Sequence, residues 1–385
     1  MLVLIRTCIL FTLLLLLPDW YIYKVYIIAP RHSRMAKRCL WWPTIFLLAV
    51  LFVFVASGEV YQEYFGLYLI VALAVSIPKI IFIVFDLLLK GIKHIVHWKI
   101  PQGKLSLLAA IATGCYIIYG ATEGKQHFQV KEVTFSSAEL PAAFDGYRIV
   151  QLSDIHAGSW KGNPVPLQRA IQLCLDQHAD LAVFTGDMVN SRSTELNEFM
   201  PIFSKLKAPD GVYSILGNHD YGLYIQWDND SLRLADVDSL INRQNRMGWQ
   251  MLNNDHRIIH RENDSIALIG VENSGNPPFP DYARLKEASQ GTDGLFKILL
   301  SHDPTHWRRE VLPNTDIQLM LAGHTHDMQI SLFGFSASRF FYPEHNGLYY
   351  EGDRGLYVNI GLGHVLFPMR LGAWPEITVI TLKKK

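Results

Sequence analysis

Residues 317–327 read "IQLMLAGHTHD". An apolar run ends at Gly323, and two histidines, His324 and His326, follow with only Thr325 between them. Short apolar runs closed by turn residues read as buried strands. The same break recurs through the carboxyl-terminal part of the chain. "YRIVQLSDIHAG" breaks at Asp154, "DLAVFTGDMVN" at Gly186-Asp187, "GVYSILGNHD" at Gly217-Asn218, and "KILLSHDP" at Ser301-His302. Between the first two, Pro166 to His178 ("PLQRAIQLCLDQH") keeps Leu167, Ile171 and Leu175 at helical spacing, which predicts a crossover helix. "SIALIGVEN", "GLYVNIGLG" and "EITVITL" predict further strands. Strands alternating with helices predict an α/β fold with a sheet covered by helices. In such sheets ligands gather beyond the carboxyl ends of the strands, where all these polar breaks lie.

The residues at the breaks share one chemistry. Asp154, His156, Asp187, Asn218, His302, His324 and His326 are nitrogen and oxygen donors suited to divalent metals. Two ions about 3.5–4 Å apart can share such a set through one bridging carboxylate. Asp187 is the expected bridge, since a carboxylate has two oxygens with room for both ions. His324 and His326 are expected to face different ions, on the ground that side chains alternate along extended chain. Two dications, less two carboxylates and one deprotonated water, leave about +1, which suits a phosphate oxyanion. His219 in "GNHD" is placed to protonate a leaving oxygen. Asp220 either orients His219 or caps the next turn. His364 and Arg370 are candidates for substrate binding, Arg370 because a guanidinium suits phosphate, with a surface ion pair as the alternative. Trp160, in "WKGNP", meets an acyl chain or membrane surface, or simply packs. His178, His306 and His345 lie off the motifs and read as structural.

Taken in order, "SDIHAG", "TGDMVN", "LGNHD", "LSHDP" and "AGHTH" resemble the motifs of the calcineurin-like metallophosphoesterase superfamily. The resemblance spans about residues 145–382, and the end of the chain looks like the branch of membrane-anchored and exported bacterial members. It implies a four-layer αββα sandwich. It also implies that Asp154, His156, Asp187 and His326 hold one metal, and that Asp187, Asn218, His302 and His324 hold the other. His219 then matches the general-acid histidine, with Asp220 as its neighbour. The metals are expected to be manganese, with iron, zinc or nickel as alternatives.

The first third of the chain is of another kind. Charged residues make up only 18% of the 385, and the deficit lies before residue 127. Apolar blocks at 2–17, 40–57, 65–89 and 105–121 predict an all-helical transmembrane anchor over 1–126, followed by the catalytic domain over 127–385. The third block carries Pro78-Lys79 at its middle, which predicts one kinked span with a charge near the bilayer centre. Apart from Lys79 the blocks read as free of intramembrane charge. Pro18-Asp19-Trp20 makes a poor cleavage site, so the first block reads as an uncleaved anchor. Lys24, Arg31, Arg34, Lys37 and Arg38 follow the first block, Glu59 and Glu63 the second, and Lys90, Lys93, Lys99 and Lys104 the third. Basic loops stay in the cytoplasm, which predicts an extracytoplasmic catalytic domain in a bacterial inner membrane.

The cysteines, Cys8, Cys39, Cys115 and Cys174, form no paired pattern, and a net charge of zero points to no nucleic-acid partner. The function expected is hydrolysis of a phosphoester or pyrophosphate bond by metal-activated water. The expected partners are the lipid bilayer and a phosphorylated substrate, lipid-linked or, alternatively, a soluble nucleotide. A non-catalytic metal-binding scaffold and a helix bundle acting in transport are the competing classes.

Overall fold

The computed structural model describes residues 2–28, 34–57, 62–96 and 101–385. The chain forms two units, Met1–Gly124 with Leu366–Met369, and Lys125–Val365 with Arg370–Lys385.

The first unit is helical. Its helices are α1 (Leu2–Ile22), which runs into a π-helical stretch Tyr23–Ile27, α2 (Arg34–Ser57), α3 (Gln62–Val96) and α4 (Gln102–Thr122). All four are long and apolar enough to cross a membrane. They outrun the apolar blocks because polar flanking residues continue the backbone ladder. Pro78 lies inside the unbroken 35 residues of α3. The expectation of a single intramembrane charge is corrected here. Asp19 on α1 is fully buried and pairs with Lys79 at 2.5 Å, while Thr44 donates to the same carboxylate. Asp86 on α3 is also buried, pairs with Lys90 at 2.6 Å and accepts from Tyr21 and Tyr26. A charge in an apolar bundle is tolerated when it is matched, and here each acid has its own base and hydroxyls. Arg31, Glu59 and Lys99 of the orientation argument lie outside the described residues.

The second unit is built on strands β1 (Gln129–Ser137), β2 (Arg148–Leu152), β3 (Leu181–Phe184), β4 (Val212–Ser214) and β5 (Gln250–Met251). There follow β6 (Asp255–Arg261), β7 (Asp264–Gly270), β8 (Phe296–Leu300) and β9 (Leu319–Ala322). The small hairpin β10 (Ser331–Leu332) and β11 (Phe335–Ser336) precedes β12 (Gly347–Glu351), β13 (Arg354–Val358) and β14 (Glu376–Lys384). Two six-stranded sheets result, ordered β1-β14-β2-β3-β4-β5 and β12-β13-β9-β8-β7-β6. Within them β2-β3-β4 and β7-β8-β9 pair in parallel.

The central strands are apolar throughout because both of their faces are covered. Side chains alternate faces along a strand. Ile149, Leu181, Val183, Ile298, Leu300, Leu319 and Leu321 meet in one core between the two sheets. Val150, Ala182 and Phe184 turn outward onto Leu167 and Ile171 of helix α5 (Val165–Leu175) and Leu240 of the helix Asp230–Arg246. On the other side Ile269, Leu299 and Met320 pack against Leu285, Trp307 and Val311. These three cores separate four layers, helix, sheet, sheet and helix.

Candidate metal centre

Strands β2, β3, β4, β8 and β9 each stop shortly before a motif residue, so their carboxyl ends bring the motifs to one place. Two groups of possible ligands form there, Asp154 with His156 and His326, and Asp187 with His302 and His324. In the first, His156 Nε2 lies 3.1 Å from His326 Nε2, which is 3.2 Å from Asp154 Oδ1. In the second, Asn218 Oδ1 lies 2.8 Å from His324 Nδ1 and 3.2 Å from His302 Nε2. Tyr224 accepts from Asn218 Nδ2 at 2.7 Å, which turns the amide oxygen toward the histidines. Asp187 Oδ2 faces both groups, 3.7 Å from His156 Nε2 and 3.2 Å from His302 Nε2.

The backbone bends sharply to achieve this. Asp154, His156, Asp187, His324 and His326 all have positive φ, between 48° and 74°. For residues with a side chain this left-handed region costs roughly 1–2 kcal/mol each, and such strain collects at functional sites. The expected alternation of His324 and His326 along extended chain is therefore corrected. The two imidazoles diverge because the chain coils left-handed at both positions. Asp187 Oδ2 is the oxygen turned toward both groups, while Oδ1 accepts the backbone N–H of His219 at 2.8 Å.

The donors present fit divalent ions. A Cβ on Gly217 would stand 2.3 Å from Asp187 Oδ1, and one on Gly323 would stand 2.4 Å from Asp154 Oδ2. Only glycine lets the backbone approach these carboxylates so closely. Burial holds His156, His324 and His326 below their usual pKa, hence neutral and able to offer a lone pair. Burial alone would raise Asp154 and Asp187, but the neighbouring His326 and His302 hold both carboxyls below the usual carboxylate range. Burial opposes a proton on His302, yet Asp187 beside it lifts His302 to about 10, so a cation must displace that proton. Thr185 O lies 2.7 Å from His302 Nδ1 and can only accept, which leaves Nε2 facing the centre.

His219 stands beside the centre, its ring 4.8 Å from that of His156. Its Nδ1 lies 2.8 Å from the carbonyl of Asn190, so Nδ1 carries a hydrogen and Nε2 is left free of that bond. Asp220 has other work than orienting His219. Its carboxylate accepts the backbone N–H groups of Asp187, Met188, Val189 and Gly217 and so knits the Asp187 turn to the Asn218 turn. Burial, reinforced by the charge of Asp187, raises Asp220 to about 7.

Arg370 is not a surface ion pair. It is fully buried, donates to the carbonyls of Gly363, Ala373 and Ile360, and places Nη2 3.0 Å from His326 Nδ1. Burial lowers it to about 10. His364 is also buried, its ring 5.7 Å from Trp160, and burial drives it down to about 3. Trp160 is 3% exposed and donates Nε1–H to Ile155 O, so it packs inside rather than meeting lipid. His306 lies between Ser301 and Glu310, and His345 accepts from Thr325 through its carbonyl.

One neighbour of the site was passed over in the sequence, although it stands within "LSHDP". Asp303 is buried, and its Oδ2 has no hydrogen-bond partner and lies 3.8 Å from His324 Nε2. Tyr342 OH is 2.9 Å from the same nitrogen. With His324 Nδ1 turned to the centre, Nε2 faces the Tyr342 hydroxyl, and the buried Asp303 carboxylate lies just beyond hydrogen-bond reach, where its charge supports the ligand histidine from behind. Asp303→Asn is expected to weaken manganese binding about 10- to 100-fold in equilibrium dialysis. Unchanged affinity would contradict this role.

Residues 147–328 match the family model described as Calcineurin-like phosphoesterase. Residues 5–125 match the model described as Probable Calcineurin-like phosphoesterase, transmembrane domain. The chain is 35% identical to Uncharacterized metallophosphoesterase YkuE of Bacillus subtilis, over 66% of this chain and 85% of that protein. It is 31% identical to Transmembrane protein with metallophosphoesterase domain of Danio rerio, over 72% of this chain but only 63% of that protein's length. It is 26% identical to Phosphodiesterase YaeI of Escherichia coli, over 61% of this chain and 82% of that protein. With its four apolar helices and its two ligand groups, the chain belongs to the calcineurin-like metallophosphoesterases, as an integral membrane hydrolase of phosphoesters.

Proposed function

We propose that this enzyme cleaves a phosphoester or pyrophosphate bond in a lipid or lipid-linked substrate at the extracytoplasmic face of a bacterial inner membrane. The observation that carries the proposal is the tethering of a complete ligand set to four membrane-spanning helices. The basic, acidic, basic sequence of the loops supports the orientation. The name of the Escherichia coli relative supports diester cleavage.

In this reading Asp154, His156, His326 and Asp187 would hold one divalent ion, and Asp187, Asn218, His302 and His324 the other, both manganese. When bound, such a pair supplies Lewis-acid polarisation of the phosphoryl group and lowers the pKa of water. The protein's own residues do the rest. Asp187 keeps the two groups in register through Oδ2. Asp220 holds the backbone of that turn, so Asp187 needs no reorganisation during turnover. His219, its ring fixed by the Nδ1–H bond to Asn190 O, delivers a proton carried on Nε2 to the departing oxygen, the ring then keeping the hydrogen on Nδ1. Arg370 and Tyr342 hydrogen-bond the His326 and His324 rings from behind, and Asp303 adds its charge beside His324.

Two experiments test the proposal. The full chain in proteoliposomes with manganese is expected to release product from a phospholipid or polyprenyl-pyrophosphate substrate faster than from a nucleotide phosphodiester. Preference for the nucleotide would overturn the lipid reading. A reporter fused after Lys385 is expected to be active only outside the cytoplasm, and activity inside would reverse the orientation.

A further inference from the structure

The turn that carries His324 and His326 leads directly into an exposed aromatic hairpin. Phe333 is 108% exposed, Phe340 74% and Phe341 67%, with Leu332 and Phe335 also exposed. Arg339 lies over the Phe335 ring at 5.4 Å. From Met328 to Pro343 the sequence holds no acidic residue, and Arg339 is its sole cation. The hairpin turn itself is Phe333-Gly334, with φ of 54° and 78°. Asparagine and glycine suit that conformation, and phenylalanine does not. A residue that is both strained and bare to solvent at a tip is there for something other than the stability of the free domain.

The hairpin is wired to the metal centre. Ser338 Oγ donates to Asp327 Oδ1 and Ser336 Oγ to Asp327 O, both at 2.7 Å, immediately after His326. Tyr342, at its far end, reaches His324 at 2.9 Å. The covalent link from α4, which ends at Thr122, to β1, which starts at Gln129, spans about 25 Å at full stretch. A bilayer is therefore the apolar phase this domain meets throughout its life. Phenylalanine and leucine beside a single arginine match an acyl boundary topped by phosphate headgroups.

We propose that the 328–341 hairpin inserts its phenylalanines into the bilayer surface and presents lipid phosphate to the metal centre. The docking half of this stands by itself, and the presentation half rests on the lipid-substrate reading above. The test uses the full chain in phosphatidylcholine vesicles, with its native cysteines replaced and Phe333→Cys labelled with an environment-sensitive dye. Doxyl-labelled lipid is expected to quench the dye at position 333 by about half or more, but not at Lys286→Cys, an exposed position of the same domain. Emission that is blue-shifted but unquenched would mean that protein, such as a second copy, covers the tip, and would overturn the proposal. Equal quenching at both positions, or at neither, would overturn it as well.

A second arm reads activity. The pair Phe333→Ser and Phe340→Ser is expected to lower kcat/KM about tenfold on vesicle-borne phospholipid and to leave hydrolysis of a water-soluble aryl phosphodiester unchanged. Quenching at position 333 without any phospholipid hydrolysis would keep the docking and sink the lipid substrate. Phospholipid hydrolysis that is indifferent to both substitutions, with no quenching, would keep the substrate and sink the docking.

Discussion

Asp187→Ala is expected to lower kcat/KM by at least about a thousandfold, roughly 4 kcal/mol of transition-state stabilisation. The reason is geometric. Oδ2 faces both ligand groups, at 3.7 Å from His156 Nε2 and 3.2 Å from His302 Nε2. Oδ1 holds the backbone N–H of His219. Alanine removes the oxygen proposed to serve both ions and the acceptor that holds the His219 backbone N–H. It also leaves His302 without the carboxylate that lifts it to about 10. The metal content should fall from two ions per chain to one at most, by mass spectrometry of the purified protein. A variant that keeps both ions and more than a tenth of its activity would show that Asp187 is not the bridge.

His219→Ala is expected to behave quite differently. The ring belongs to neither ligand group, so both ions should remain. General acid catalysis contributes about 10²–10⁴-fold, and only where the departing oxygen needs a proton. A nitrophenolate leaves without help, whereas an alkoxide does not. The loss should therefore be close to this full range for an alkyl ester and small for a nitrophenyl ester. Asn190 is part of the argument, since its carbonyl sets the His219 tautomer at 2.8 Å. Equal losses on both substrates would contradict proton donation and point to a positioning role.

Much of this was legible in the chain because two signals coincided. The central strands are buried on both faces, so they appear as continuous apolar runs, and each run ends abruptly at a donor residue. Position along the strand thus revealed position in the site. What stayed hidden depended on directions that no residue type announces. The left-handed backbone at Asp154, His156, Asp187, His324 and His326 is imposed by the close approach of neighbouring turns, and none of these residue types requires it. Arg370 looked like a phosphate ligand because a guanidinium usually seeks an anion. Its partners are instead backbone carbonyls from Ile360, Gly363 and Ala373, which carry no sequence signature. Trp160 looked available to lipid, but its indole N–H is satisfied within its own turn. In the helices, the pairing of Asp19 and Asp86 stayed hidden because hydropathy averages away single charges, and only packing shows Lys79 and Lys90 opposite them.

The most direct measurement counts metal and activity together on the full chain in detergent or vesicles. The protein should contain two divalent ions per chain, lose both with its activity on treatment with EDTA, and regain both with manganese. Activity that survives complete removal of metal would contradict the dinuclear site, as would full activity with a single ion.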